Sequence, residues 1–220
     1  MELKTWETLE FTNNWDTIDT TNDWTRANDH GNESLTADNG AIQLSGSNMG
    51  YNSAGSYDRI TSNFDLSKYR LISFSCNADA YCYFGDSMTA ALILTDGTNS
   101  YTLMSVSAGD SNSSSDYFGL ACAGGFFTLE IVGSTVNIYR QAVTNAQVSG
   151  NGTESASASL VADAYALDIS SWSSLNIRIQ VTGDARSGYG SANGNNSIVL
   201  GPILASKKVI GSKRILAIPS

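Results

Sequence analysis

The sequence offers few residues whose types and spacing suit covalent catalysis. Its one histidine, His30, stands in a polar run that is typical of a surface loop, so an imidazole-activated nucleophile would depend on this residue. Glycoside hydrolysis needs two carboxylates facing one cleft, and no strand pattern alternates Glu or Asp in that way. Glu130 lies within a clear strand pattern, where exposure to solvent accounts for it. We therefore expect no enzyme and assign no catalytic residue.

Metal-binding patterns are equally sparse. The three cysteines, Cys76, Cys82 and Cys122, form no Cys-x-x-Cys pair, which argues against zinc and against a disulfide framework. We expect reduced cysteines in the core and leave open a bond between Cys76 and Cys82. The first forty positions are rich in acids but lack the Asp-x-Asp-x-Asp-Gly pattern of a calcium loop. These acids are Asp16, Asp19, Asp23, Asp29, Glu33 and Asp38. We expect no cofactor, and a structural calcium ion stays an open alternative.

Two polar loops combine the side chains that a sugar-binding site uses. An aromatic ring stacks on the apolar face of a sugar, and amides and charged groups beside it bind the hydroxyls. Residues 48–59 and 184–193 both place Tyr among Gly, Asn, Asp and Arg, and two N-terminal tryptophans are flanked by Asn and Asp. The candidate ligand-binding residues are Tyr51, Tyr57, Arg59, Tyr189, Asn193, Trp15 and Trp24. The alternative is that the loops are ordinary connections and the tryptophans are core anchors.

The distribution of charge excludes one class of partner and suggests another. The formal net charge of -9 argues against nucleic acid, because phosphate binding needs a concentrated basic face. The basic residues Lys207, Lys208, Lys213 and Arg214 lie in the last fourteen positions, which contain no acid. We expect residues 1–206 to form one domain and residues 207–220 a basic strand or tail. This tail is predicted to dock on an acidic neighbour, such as a second copy of the chain, or simply to be solvated.

Neither end of the sequence carries a pattern for export or membrane insertion. The first residues lack a basic segment followed by an apolar run, and no stretch approaches the roughly 20 apolar residues of a membrane span. We expect no membrane insertion. The sequence predicts a protein made and assembled in cytoplasm, or an excised domain whose signal has been removed.

Short strand patterns must position these candidate groups. Ser, Thr, Asn and Gly make up 89 of the 220 residues, a composition that favours strands and turns over helices. Two hairpins are predicted, around Asp96–Asn99 and around Gly133-Ser134. Residues 157–167, with their alanines, are the one weak helix candidate. The predicted strands are Ala41–Leu44, Ile60–Phe64, Tyr69–Cys76, Thr89–Thr95, Tyr101–Val106, Phe126–Val132, Val136–Gln141, Leu175–Thr182, Ser197–Leu204 and Arg214–Ile218.

Several phrases in the sequence resemble those of jelly-roll carbohydrate-binding modules. Residues 64–74, FDLSKYRLISF, are similar to the F-D-L-S-x-Y turn that leads into a strand of those modules. Residues 167–179 contain a second copy of this pattern, in which Asp, Leu or Ile, and Ser precede an aromatic residue and a strand. Residues 197–203 resemble their closing strand. Residues 126–140 resemble the T-L-E-I…G-x-x-V-x-I-Y hairpin of concanavalin-like lectin sandwiches. The resemblance implies an all-β protein, an antiparallel jelly-roll β-sandwich with little helix.

Decoration proteins and fibres of tailed phages often resemble the same lectin-like sandwiches. The resemblance therefore implies a non-enzymatic structural protein of a virion, a capsid decoration or part of a head or tail fibre, assembled in the host cytoplasm. Its partners would be copies of itself or other virion proteins, with a cell-surface glycan as a further partner. Two alternatives stay open. One is an extracellular carbohydrate-binding module or adhesin, and the other is a glycoside hydrolase on the same fold.

Overall fold

Two antiparallel β-sheets account for nearly all of the structure that can be described. The computed structural model describes residues 11–12, 23–28, 33–38, 41–47, 56–84, 87–110, 118–150, 152, 154–184 and 193–207. The strands are β1 (Phe11–Thr12), β2 (Trp24–Asn28), β3 (Glu33–Asp38), β4 (Ala41–Ser47), β5 (Ser56–Ser62), β6 (Leu71–Phe84), β7 (Ser87–Thr95), β8 (Ser100–Asp110), β9 (Phe118–Val132), β10 (Thr135–Ser149), β11 (Glu154–Leu160), β12 (Ala164–Asp168), β13 (Asn176–Asp184), β14 (Asn193–Leu200) and β15 (Leu204–Ser206). One 3₁₀ turn, Leu66–Lys68, is the only helical segment among these residues.

The larger sheet has nine strands and the smaller sheet six. The larger sheet runs in the order β12-β10-β9-β6-β14-β4-β3, and β15 pairs with β6 and with β1. The smaller sheet runs β11-β8-β7-β13-β5-β2. Every pairing between strands is antiparallel. The predicted antiparallel β-sandwich is thereby confirmed.

The core lies between the two sheets and follows from the alternation of side chains along each strand. In β6 every second residue from Ile72 to Cys82 is buried, and the residues between them point to the opposite face. Phe127 of β9 stacks on Phe74 of β6 with ring centroids 5.6 Å apart. We refer to the surface of the larger sheet that points away from the core as its outer face.

The two copies of the Asp-x-Ser phrase form the same turn. The Asp65 carboxylate accepts a bond from the Ser67 N–H, and Asp168 accepts one from Ser170 in the same way. Partial burial raises the pKa of Asp65, but the bonds from Ser67 and Leu175 outweigh it and hold the pKa below its ordinary value. The phrase that carried the resemblance is thus a carboxylate-capped turn, a structural element at the end of the sandwich.

Three predictions about secondary structure need correction or lie outside the description. The helix predicted over residues 157–167 is wrong: β11 and β12 occupy this region, because in β11 serines alternate with Ala158 and Leu160, which pack on the core. The strand predicted over 197–204 is interrupted after Leu200, and the Gly201 N–H bonds to the Ser75 carbonyl there. Both predicted hairpins are confirmed. The strand predicted at 214–218 lies outside the described residues.

Candidate functional site

A row of polar side chains crosses the outer face of the larger sheet. The register of the strand pairs places six residues side by side on six adjacent strands. Directly opposite residues of paired strands point to the same face of the sheet, so these six side chains share the outer face. From β3 to β10 they are Ser34, Ser45, Ser197, Asp79, Cys122 and Asn145, and we name them the Asp79 row. The row therefore joins a carboxylate, an amide, a thiol and three hydroxyls in one line.

Hydrogen bonds fix parts of this row before any ligand arrives. The Ser197 hydroxyl donates to Asp79 Oδ2 at 2.5 Å, and the hydroxyls of Ser34 and Ser45 lie 2.8 Å apart. Asp79 keeps an exposed side chain, so its other oxygen faces the solvent side of the sheet. These contacts hold the polar atoms in set positions, as a recognition surface requires.

Two adjoining depressions lie along the row and meet at Asp79. One has a volume of about 380 Å³ and is lined by Asn77, Cys122, Gly124, Val143 and Asn145 among others. The other has a volume of about 340 Å³ and is lined by the serines and by Asn195. We name the two together the Asp79 groove.

Gly124 forms part of the floor of this groove. A Cβ atom at position 124 would lie 2.0 Å from Asn77 Oδ1, so any larger residue would displace the Asn77 amide. Glycine therefore lets the Asn77 side chain lie across the neighbouring strand instead of pointing straight out.

Exposed aromatic and apolar side chains stand beside the groove. Phe126 follows Gly124 by two positions on the same face of β9, and its side chain is 67% exposed. Val143, which lines the groove, is 77% exposed. At the other end Tyr81 and Phe118 contact each other with ring centroids 5.7 Å apart. An exposed phenyl ring on the same face of a sheet as amides and a carboxylate provides the kinds of group that sugar-binding sites use.

The sequence-predicted ligand residues do not form one site. Tyr57 and Arg59 lie on the outer surface of the smaller sheet, across the sandwich from the groove, with the guanidinium 5.3 Å from the ring centroid. Burial and the charge of Arg59 lower the pKa of the neighbouring Arg178. Trp24 is fully buried, edge to face with Phe64, so it is a core anchor and not an exposed platform.

The remaining sequence-predicted residues divide between β14 and the undescribed part of the chain. Asn193 begins β14, the strand that brings Asn195 and Ser197 to the groove. Tyr51, Tyr189 and Trp15 lie outside the described residues, and so do Lys208, Lys213 and Arg214 of the predicted partner-binding set. Lys207 is exposed, with its Nζ 5.9 Å from the ring centroid of Tyr69.

Sequence reasoning missed Asp79, Asn77, Asn145 and Phe126. The signal that could have found the first two is the alternation of β6, where Asn77 and Asp79 alternate with small buried alanines. A polar residue at every second position indicates that one side of a strand faces solvent. Two such positions in a row, both able to form hydrogen bonds, indicate a place where that side could bind a polar ligand.

Comparison with known proteins supports the fold and does not identify a family. No protein-family model and no curated protein matches the sequence. A solved structure of the GH16 protein from the mixed linkage glucan PUL of Bacteroides ovatus, in complex with product, is 12% identical over 89% of this chain and 99% of its own, with a TM-score of 0.47. The carbohydrate recognition domain of Emp46p is 10% identical over 94% and 100%, with a TM-score of 0.42.

A mannan-recognising carbohydrate-binding module, TmCBM27, is 12% identical over 92% of this chain and 98% of its own, with a TM-score of 0.33. The predicted likeness to lectin-like and carbohydrate-binding jelly-roll sandwiches is confirmed at the level of the fold. The prediction that the chain is not an enzyme is contradicted, because glycoside hydrolases are among the structurally similar chains. At these identities the likeness is one of fold alone.

Two further findings concern metals and membranes. Within the described ranges, no three His, Cys, Asp or Glu side chains come together as ligands of a metal ion would. None of the helical structure in the described part of the chain has the length and hydropathy of a membrane span. Cys76, Cys82 and Cys122 form no disulfide bond, and burial raises the pKa of the Cys76 thiol.

Proposed function

We propose that this protein binds a glycan in the Asp79 groove. The observation that carries the proposal is the Asp79 row itself, which lines up hydroxyl, carboxylate and amide groups beside an exposed phenyl ring. The phenyl ring of Phe126 would stack on the apolar face of a sugar. Asp79 and Asn145 lie four residues along the strands from Phe126, about 13 Å at 3.3 Å per residue. They would therefore bind hydroxyl groups of a further ring of the same ligand, since both side chains are exposed on the same face.

The length of the groove favours a short oligosaccharide. The row of Tyr81 and the row of Phe126 are six residues apart along β6, because Phe126 pairs with Ser75. At about 3.3 Å per residue this separation is roughly 20 Å. A ligand that touches both ends must therefore contain more than one sugar ring, and a series of increasing chain length is the appropriate probe.

Replacement of Phe126 by alanine is expected to weaken glycan binding about tenfold or more, because it removes the stacking ring. Asp79→Asn is expected to act in the same direction, since a charged acceptor is lost. A glycan array selects the ligand, and titration calorimetry then compares the variants with the wild-type chain. Tyr57→Ala removes an exposed ring from the opposite surface and is the matched control. Unchanged affinity in both groove variants, or an equal loss in Tyr57→Ala, would refute the site.

An assay for reducing ends, made on the same variants with the glycan that binds, shows whether the bound glycan is also cleaved. Release of reducing ends by the wild-type chain, lost in Asp79→Asn and kept in Tyr57→Ala, would assign a hydrolytic step to the groove. Binding without such release would leave a lectin-like role.

We further propose that the protein is a structural component of a virion, the role that its resemblance to phage decoration and fibre proteins implies. The observation that favours this is the position of Lys207, exposed where the described chain leaves β15, at the start of a basic segment on an otherwise acidic protein. Removal of residues 207–220 is expected to abolish a salt-sensitive association measured by light scattering, because contacts between charged surfaces are screened by salt. Association that is unchanged by truncation and by salt would contradict a docking role for this segment.

A further inference from the structure

The second half of β10 is an open sheet edge. β12 covers β10 from Thr135 to Tyr139, and the Arg140 N–H then bonds to the Asp163 carbonyl at 3.1 Å. Beyond Arg140 no strand in the described ranges pairs with this edge, although β9 pairs with the other side as far as Ser149. Backbone groups alternate between the two sides of an antiparallel strand. Thr144, Ala146 and Val148 therefore direct their N–H and C=O groups to the open side, as Arg140 does.

The smaller sheet does not cover this edge. Its outermost strand, β11, lies over both β9 and β10, and a Cβ atom at Gly119 of β9 would lie 2.1 Å from the Ser155 carbonyl oxygen. In the described part of the chain, β11 pairs with β8 and forms no ladder with the open side of β10. The residues of β10 from Val143 to Ser149 are exposed on both faces, and the side chains of Val143 and Val148 are 77% and 58% exposed. The open edge is thus accessible to an incoming strand.

The edge also lacks the features by which proteins usually protect such strands. Edge strands are commonly kept short, or carry Lys, Pro or a bulge. Residues 141–149, QAVTNAQVS, contain no charged residue and no proline, and β9 and β10 stay in register throughout. By contrast the neighbouring edge strand β12 has five residues, and β3 begins and ends with an acid.

We propose that a second copy of this chain pairs antiparallel with β10 through residues 144–148, about a two-fold axis at Ala146. The absence of charge matters here, because the net charge of -9 opposes contact between copies of the chain wherever their acidic surfaces meet. When residues 141–149 of one copy pair with the same residues of a second copy, no charged side chain lies opposite another.

The register of the proposed pairing between two copies follows from the backbone N–H and C=O groups on the open side of β10 that have no partner among the described residues. The Ala142 carbonyl already accepts a bond from the Arg140 guanidinium at 3.5 Å. Pairing Thr144 with Val148 of the second copy, and Ala146 with its own equivalent, uses all three remaining residues on each side. Such a closed, isologous contact stops at two copies. It extends the larger sheet and places both Asp79 grooves on one continuous face.

Replacement of Ala146 by lysine is expected to raise the dissociation constant of this dimer about tenfold or more, since it brings two ammonium groups together at the axis. Sedimentation equilibrium of the full chain measures the mass over a range of concentrations. Thr98→Lys places the same charge in the exposed turn between β7 and β8 and is expected to leave the dimer intact. Ala146→Pro, which removes an N–H directed to the open side, is expected to weaken the dimer as well.

A cysteine at position 146 tests the register independently. Directly opposed residues of a hydrogen-bonded pair lie about 5.5 Å apart, within the range that a disulfide spans. Ala146→Cys is therefore expected to form a covalent dimer on mild oxidation, whereas Ala142→Cys on the same edge is not. Both variants are made with Cys122 replaced by serine. A wild-type chain that stays monomeric would overturn the proposal, and so would a dimer insensitive to both Ala146 variants. Protection of the Ala146 N–H from exchange in a monomer would likewise overturn it, because a segment of the same chain would then cover the edge.

Discussion

Replacement of Phe127 by alanine is expected to lower the free energy of unfolding by about 3–5 kcal/mol. Its side chain is 1% exposed and stacks on Phe74 with ring centroids 5.6 Å apart, at the interface of the two sheets. Alanine would lose the transfer free energy of the ring and leave a cavity that two paired strands cannot close. The size of this loss makes Phe127 one of the main determinants of the sandwich.

Equilibrium unfolding in urea measures this loss, and Phe126→Ala is its matched control. The two phenylalanines are adjacent in sequence but lie on opposite faces of β9, and Phe126 is 67% exposed. We expect Phe126→Ala to change the unfolding free energy by less than about 0.5 kcal/mol, as surface substitutions usually do. The pair then separates the two roles, since Phe127→Ala impairs folding and Phe126→Ala impairs glycan binding. Equal losses of stability would show that the assignment of the two faces is wrong.

This pair of residues also shows what the sequence can and cannot predict. Alternation within Phe126–Val132 predicts that one phenylalanine of the pair is buried and the other exposed. The same pattern favours burial of Phe127, because it shares a face with Leu129 and Ile131, whereas Phe126 shares the face of Thr128 and Glu130. The two hairpin turns could therefore be predicted from local residues and are confirmed by the structure. The strand pattern is confirmed only in part, because β11 and β12 lie where a helix was predicted.

The Asp79 row could not be predicted, since its members are far apart in the chain. Ser45, Asp79 and Ser197 become neighbours through the crossovers that place β14 between β4 and β6. No local pattern encodes that strand order, and a shift of one residue in any pairing would move its side chain to the buried face. The groove is therefore a property of topology and register.

Residue composition alone predicts the wrong structure at two places where the alternation of residues along the strand was not considered. The alanines of residues 157–167 suggested a helix, yet Ala158 stands between serines in the half-buried strand β11, and Ala164 and Ala166 occupy alternate positions of β12. Trp24 was a candidate for a binding platform because Asn and Asp flank it, but the period of β2 turns its ring into the core. In both cases alternation along the strand decides the outcome and the flanking residue types do not.

Replacement of Arg26 by methionine is expected to lower the free energy of unfolding by about 3 kcal/mol, the lower end of the range for breaking a buried ion pair. The Arg26 guanidinium contacts Asp58 through Nε at 3.0 Å and Nη2 at 2.6 Å, both to Oδ2. The Asp58 side chain is completely buried, whereas that of Arg26 is 29% exposed. Methionine would leave the Asp58 carboxylate in the interior without its cation. Because position 26 is partly exposed, water can approach the carboxylate from that side, and this limits the loss of stability.

Two further variants decide whether the buried charge or the lost packing causes this effect. If the charge is responsible, Arg26→Met with Asp58→Leu should recover much of the stability, because an apolar pair of similar size replaces both ions. If packing is responsible, the losses of the two single variants should add in the double variant. The Arg140–Asp163 pair gives the contrast, since Asp163 is 85% exposed and its change to alanine should cost less than about 1 kcal/mol. Recovery in the double variant would make Asp58 a buried charge that this edge of the sandwich tolerates only because Arg26 lies beside it.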